Sequence, residues 1–192
     1  MATKNASVRS FTTSVDIPAQ TRAEVNVVLN QHLADSFDLM SQAKQAHWNV
    51  KGSDFWQLHK LFDELAERAA EWVDEFAERV TALGGYATGT VRMAAASSKL
   101  PEFPTEITDS MDYVRALAER LAAFTNSARE AIDQIDELGD ADTADLFTEV
   151  SRCADKYLYF LEAHLQGYRT HLRIEICHGA SPCHFHGPSS PP

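Results

Sequence analysis

Five side chains of metal-binding type, His47, His59, Asp63, Asp74 and Glu78, fall within 32 consecutive residues. Imidazole and carboxylate without thiolate form a mixed N and O donor set that suits iron, manganese or zinc. Residues 54 to 83 read as one uninterrupted helix. At ~1.5 Å per residue, Asp63 and Asp74 stand ~16 Å apart along its axis. Metal–ligand bonds are only ~2 Å long, so the five cannot share an ion within one chain. With His59 as origin and ~100° per residue, Asp63, Asp74 and Glu78 lie at ~40°, ~60° and ~100°. They form one longitudinal stripe carrying two half-sites. Two such helices packed antiparallel about a two-fold axis would set His59 and Asp63 of one chain against Asp74 and Glu78 of the other, making two identical sites. Bridging carboxylates can hold two ions ~3.5 to 4 Å apart. The plain alternative is a solvated acidic face, because the helix also carries Glu64, Glu67, Glu71 and Glu75. Against it, the apolar Leu65, Trp72 and Phe76 keep to other angles.

Long helices must position these groups. The first opens at Pro18 and carries Val25, Val28, Leu29, Leu33, Phe37, Met40, Ala43 and Val50 at three-and-four spacing to a stop at Lys51-Gly52. Ser53 or Asp54 is placed to cap the second, which ends at Gly84-Gly85. A connection from Gly84 to Ile107 contains VRMAAASSKL, a candidate short helix. The third helix is expected from about Thr108 to Leu138, and the fourth from about Thr143 to Gln166, with a continuation toward Ile176. A long crossover between the second and third helices is the wiring of ferritin-like bundles, and a loop of that length normally carries structure or spans the molecule. The expected fold is all-α: a ferritin-like four-helix bundle over residues 17–166, with a mobile N-terminal arm at 1–16 and an extension at 167–192. A di-iron centre inside one such bundle calls for Glu-x-x-His on two helices. Only Glu175–His178 has that spacing, which favours the site between chains.

With 192 residues, 44% of them hydrophobic, one domain with a proper core is the natural expectation. No apolar run approaches the ~20 residues of a membrane span, and the N-terminal stretch lacks the apolar segment of a secretory signal. A cytoplasmic location, free or associated with the nucleoid, is expected. Three cysteines are too sparse for a secreted disulfide framework, and Cys153 reads as buried and inert. A net charge of −11 argues against nucleic-acid binding over the whole surface and suits attraction of cations.

The chain resembles the Dps proteins, the mini-ferritins first described as DNA-binding proteins from starved cells. The resemblance rests on AKQAHWNVKG at 43 to 52, His59, LFDEL at 61 to 65, Asp74, AERVTALGG at 77 to 85, and ADLFTEVSRCADKYLYFLEAHL at 144 to 165. It covers roughly residues 10 to 166, and the ligand spacings of 12, 16, 27 and 31 residues from His47 are specific. It implies a hollow homododecamer that oxidises Fe(II), preferably with hydrogen peroxide rather than oxygen, and stores a ferric mineral. It assigns His47, His59 and Asp63 to one subunit and Asp74 and Glu78 to its two-fold mate, forming a di-iron ferroxidase site. Trp48 resembles the family's site-flanking tryptophan, a quencher of oxidising equivalents or a packing aromatic. Glu67 and Glu71 are candidates for mineral nucleation or plain solvated acids. Glu106, Asp109 and Asp112, at the acidic start of the third helix, are candidate pore residues; caps explain such acids equally well.

Two departures from the family stand out. The first 16 residues carry only Lys4 and Arg9 as basic groups, which puts DNA binding in doubt. Beyond the family core, Cys177, His178, Cys183, His184 and His186 place five soft or borderline donors in ten residues. That density resembles a zinc or copper site without a standard finger spacing. A DNA-compacting structural protein and a zinc-binding scaffold are the competing function classes.

Overall fold

The computed structural model describes residues 9–178, with side chains described as far as residue 166. Its elements are α1 (Ala19–Asn49), α2 (Phe55–Ala82), α3 (Val91–Ser97), α4 (Ser110–Leu138) and α5 (Ala141–His178), with no strand among the described residues. The bundle is therefore α1, α2, α4 and α5, and α3 is the short helix expected in the crossover.

The ends have local causes. Pro18 lies just before α1, where its fixed φ suits a helix start. Gly52, at φ +114°, turns the chain from α1 into α2. Asp54 occupies the N-cap position of α2 but caps no backbone N–H; its carboxylate accepts from Gln57 and Ser53 instead. At the end of α2, Gly84 N–H donates to Thr81 O (2.9 Å) and Gly85 N–H to Val80 O (2.8 Å), the paired bonds of a Schellman stop. Gly84 takes φ +78°, and a Cβ there would lie 2.6 Å from the carbonyl oxygen of Phe11. That contact sets Phe11 against the end of α2. Phe11 N–H donates to Gly84 O (2.8 Å) and Thr13 Oγ1 to Ala82 O (3.1 Å), docking the segment on the end of α2.

Asp109 caps α4, accepting from Met111 N–H at 2.8 Å. Asp140, 2% exposed, caps α5 through Thr143 N–H (3.1 Å) and Thr143 Oγ1 (2.6 Å). Arg79 of α2 reaches both, with Nη2 2.8 Å from Asp140 and Nε 2.8 Å from Thr143 Oγ1. One buried carboxylate thus starts α5 and ties it to the end of α2.

α1 packs along α2 and α4 along α5, and the two hairpins meet mainly through α1 and α4. Phe62, Phe76, Phe124, Phe147 and a set of leucines are fully buried between them; each such side chain contributes ~1.5–3 kcal/mol. The crossover lies on a polar stripe of α1. Asn30 Oδ1 accepts from Thr88 N–H and Oγ1 (2.9 Å each), and Gln31 Nε2 donates to Ser97 O (2.9 Å). Asp35 accepts from Lys99 N–H (2.7 Å), Asp38 from Ser98 Oγ (2.6 Å), and Gln42 Nε2 donates to Pro101 O (3.1 Å). This stripe satisfies crossover backbone that no sheet or helix would otherwise serve.

Candidate metal centre

The tight α1–α2 turn brings His47, in the last turn of α1, against His59, in the second turn of α2. Their rings stack at 3.7 Å between centroids and 20° between planes. Each Nδ1 faces the other residue's carbonyl: His47 Nδ1 lies 2.7 Å from His59 O, and His59 Nδ1 2.9 Å from His47 O. A carbonyl only accepts, so both Nδ1 atoms carry the proton and, in the neutral rings, both Nε2 atoms keep their lone pairs. A backbone carbonyl holding one imidazole nitrogen is the usual outer-shell device for fixing the tautomer of a metal-binding histidine. Phe55 covers His59 at 4.9 Å between centroids.

Asp63 lies next to this pair. It follows His59 by one helical turn, and its Oδ1 is 3.8 Å from His47 Nδ1. Its direct partner is Lys44, one turn before His47, whose ammonium is ion-paired with Oδ1. The Lys44 hydrogen bond is the largest cause holding the Asp63 carboxyl below its ordinary range; burial opposes it, and the charges of His47, Lys44 and His59 assist. Lys44 was not singled out from the sequence, although its position, three residues before His47, was a signal.

Asp74 and Glu78 are exposed further along α2 and form no ion pair among the described residues. The helix keeps them ~16 Å or more from Asp63. Within one chain, no group of three or more His, Cys, Asp or Glu among the described residues comes together to hold an ion. Trp48 and Trp56 are 63% and 66% exposed, two large apolar surfaces lying between His47 and His59 in sequence.

Other candidates are placed as follows. Glu67 and Glu71 are exposed on α2, with Glu71 paired to Arg68. Nearby Glu75 has its carboxyl pushed up by burial first and by Glu149 and Glu71 next. Asp109 serves as a cap, Asp112 pairs with Arg115, and Glu106 is exposed beside Thr105. Cys153 is half-buried, with burial the largest cause pushing its thiol up. Cys177 and His178 fall in the last turn of α5, where side chains are not described, and Cys183, His184 and His186 lie outside the described residues.

The bundle interior holds one further histidine. His32 is 4% exposed; its Nδ1 donates to Val28 O at 3.0 Å and its Nε2 accepts from Ser127 Oγ at 3.2 Å. Phe147, Phe76 and Phe124 surround it at 4.7, 5.9 and 6.3 Å between centroids. Burial is the largest cause lowering its pKa. Aromatic rings thus fill the bundle centre around this histidine, where an internal di-iron site would need carboxylates from several helices. Its place in the 25, 28, 29, 32, 33 spacing of α1 was the sequence signal for a core position.

Residues 27–170 match the ferritin-like domain. The DNA protection during starvation protein of Agrobacterium fabrum is 42% identical over 159 residues, covering 83% of this chain and 98% of that one. DpsC from Streptomyces coelicolor superposes with a TM-score of 0.78 at 30% identity, over 84% of this chain and 95% of that one. An archaeal Dps homologue from Halobacterium salinarum gives 0.77 at 27% identity, over 85% and 92%. Five helices wired by a long crossover, together with these likenesses, make the chain a member of the ferritin-like family and, within it, of the Dps proteins.

Proposed function

We propose that the protein is a cytoplasmic ferroxidase and iron store, in which twelve copies form a hollow shell and each two-fold interface holds two di-iron sites. The observation that carries this reading is the paired half-site: two stacked imidazoles with both Nδ1 protons committed to carbonyls, beside a carboxylate, with two further acids on the same helix beyond reach. His47, His59 and Asp63 of one chain and Asp74 and Glu78 of its two-fold mate bind the Fe(II) substrate. The exposed Trp48 and Trp56 favour a partner at this end of the hairpin.

Two adjacent Fe(II) ions supply the two electrons that reduce one hydrogen peroxide: 2 Fe(II) + H2O2 + 2 H+ gives 2 Fe(III) + 2 H2O. A lone Fe(II) supplies one and releases hydroxyl radical. The carboxylates favour the Fe(III) product, and protons compete with metal for the imidazoles, so activity falls toward acid pH. Lys44 must leave Asp63 as the dication arrives. Trp48 is placed to intercept stray oxidising equivalents, and exposed Glu67 and Glu71 to start mineral if that face lines the cavity. Protection of DNA, which the names of relatives carry, then comes from removing Fe(II) and peroxide. The net charge of −11 gives little attraction for phosphate.

The test is complementation. His59→Ala/Asp63→Ala and Asp74→Ala/Glu78→Ala chains are each expected to lose rapid peroxide-driven Fe(II) oxidation while keeping their helix content. Dissociated and reassembled together, they are expected to regain part of it, because a mixed interface holds one intact and one empty site. Verified mixed shells without rescue would refute the intersubunit site.

A further inference from the structure

An open cleft of about 1030 Å³ runs along the first half of α1, away from the candidate metal centre. The last turns of α4, from Ser127 to Gln134, form one wall, and the start of the crossover with residues 9–11 forms the other. Its volume is at the upper end of small-molecule sites, ~300–1,000 Å³. Hydrogen bonds already described fix the second wall: Phe11 N–H to Gly84 O, and Thr88 to Asn30 Oδ1. Gly85 belongs to the same wall, and a Cβ there would lie 2.5 Å from Asn26 Nδ2, so the glycine leaves room for that amide.

The charge of the cleft runs against that of the chain. Net charge is −11, yet Arg9, Arg22 and Lys99 line the cleft against the single carboxylate of Glu130. None of these three cations is ion-paired among the described residues. Arg22 gives one N–H to Ile17 O and keeps its other donors. α1 advances ~14 Å between Arg22 and Gln31, and Gln31 holds the carbonyl of Ser97, two residues before Lys99. Arg22 and Lys99 therefore stand toward opposite ends. Val27 lies between them on α1, and it, Phe11 and Tyr86 present exposed apolar surface to the cleft. Asn26 Oδ1, on the same lining, is a buried acceptor without a hydrogen-bond partner, a state native folds seldom leave unexplained.

We infer that this cleft binds a small phosphate ester bearing a flat ring, a ligand of mononucleotide size, with its phosphate on Arg9 and Arg22 and its ring against Val27 and Tyr86. Guanidinium groups match phosphate oxygens with paired N–H donors. Aromatic side chains take the faces of planar rings. A bare oxyanion would leave most of the volume and the whole apolar lining unused. Lys99 adds attraction from the far end, and a donor on the ring would serve Asn26 Oδ1. The inference does not rest on the ferroxidase reading.

The test is calorimetric titration of the untagged, metal-free full chain with adenosine monophosphate, adenosine and inorganic phosphate. The monophosphate is expected to fill about one site per chain. Adenosine and inorganic phosphate should each bind at least roughly tenfold more weakly, the worth of one lost charged hydrogen bond. Arg9→Gln, at an exposed position, should weaken the monophosphate by about the same factor. Arg152→Gln, the same charge change at an exposed position of α5 outside the cleft, should leave its affinity nearly unchanged. Tyr86→Ala should weaken the monophosphate and spare inorganic phosphate. Absence of saturable monophosphate binding would overturn the inference, as would equal losses in Arg9→Gln and Arg152→Gln or adenosine binding as tightly as its monophosphate. A short DNA duplex that displaces the monophosphate at lower phosphate concentration would also overturn it, assigning the cleft to a nucleic-acid backbone.

Discussion

Replacing Lys44 with glutamine isolates what the ion pair does at the proposed iron half-site. A dication that takes Asp63 must displace the Lys44 ammonium, so the apparent affinity for the first Fe(II) is weakened by the strength of that pair. The side chains are 36% and 27% exposed. Such a pair is worth ~0.2–1 kcal/mol once solvent screening is counted. Lys44→Gln should therefore tighten the first Fe(II) by roughly 1.4- to 5-fold, and loss of a positive charge near a dication adds in the same direction. The gain should shrink at 1 M salt, where the screening length is ~3 Å. Lys44 is also the largest cause holding the Asp63 carboxyl down. A depressed carboxyl contributes stability above its unfolded pKa and loses it as pH falls through the folded one. In Lys44→Gln, the Asp63 carboxyl should protonate at higher pH, shifting the acid limb of metal binding upward. Anaerobic calorimetric titration of Fe(II) at low and high salt measures both effects. Unchanged or weaker affinity at low salt would refute the competition argument.

Two further outcomes concern stability. Because burial lowers the His32 pKa, the unfolded chain binds that proton first, so His32 contributes stability that is lost as pH falls below ~6.5; Tm should decline between pH 7.5 and 5.5, less steeply in His32→Gln. Asp140→Ala removes the cap of α5 and strands Arg79, so denaturant unfolding should show a loss above the ~0.5–2 kcal/mol of a cap alone, whereas Asp142→Ala, at an exposed neighbouring position, should cost little.

Of the apolar spacing that announces α1, Val25, Val28, Leu29, Leu33, Ala43 and Val50 are buried while Phe37 and Met40 are half-buried, and the connection too long for a plain loop contains α3 where VRMAAASSKL stands. The candidate ligands were legible because carboxylate and imidazole share one helical stripe, a property of register alone. What escaped depends on contacts between distant segments. Asn30, Gln31, Asp35, Asp38 and Gln42 carry no local signal of burial, yet Asp35 is 2% and Gln42 5% exposed beneath the crossover. Lys44 meets Asp63 only once α1 and α2 are folded together. In the Ser/Thr-rich segment at 9–16, the approach of the Phe11 carbonyl to Gly84 has no local signal. The caps of α2 and α4 show the limit of local signals: Asp109 caps as its type suggests, and Asp54, equally suitable, does not.

The anchors along α1 also act as a ruler. Gln31 and Gln42 hold the carbonyls of Ser97 and Pro101, and eleven helical residues advance ~16 Å. The four steps from Ser97 to Pro101 span at most ~13–14 Å when fully extended, and the long amide side chains at either end bridge the remainder. This strap has little slack. Losing one residue from it would pull an anchor free, while an added residue could bulge outward, so natural length variation in the crossover should appear as insertions here and as deletions only nearer Gly85 or Thr105.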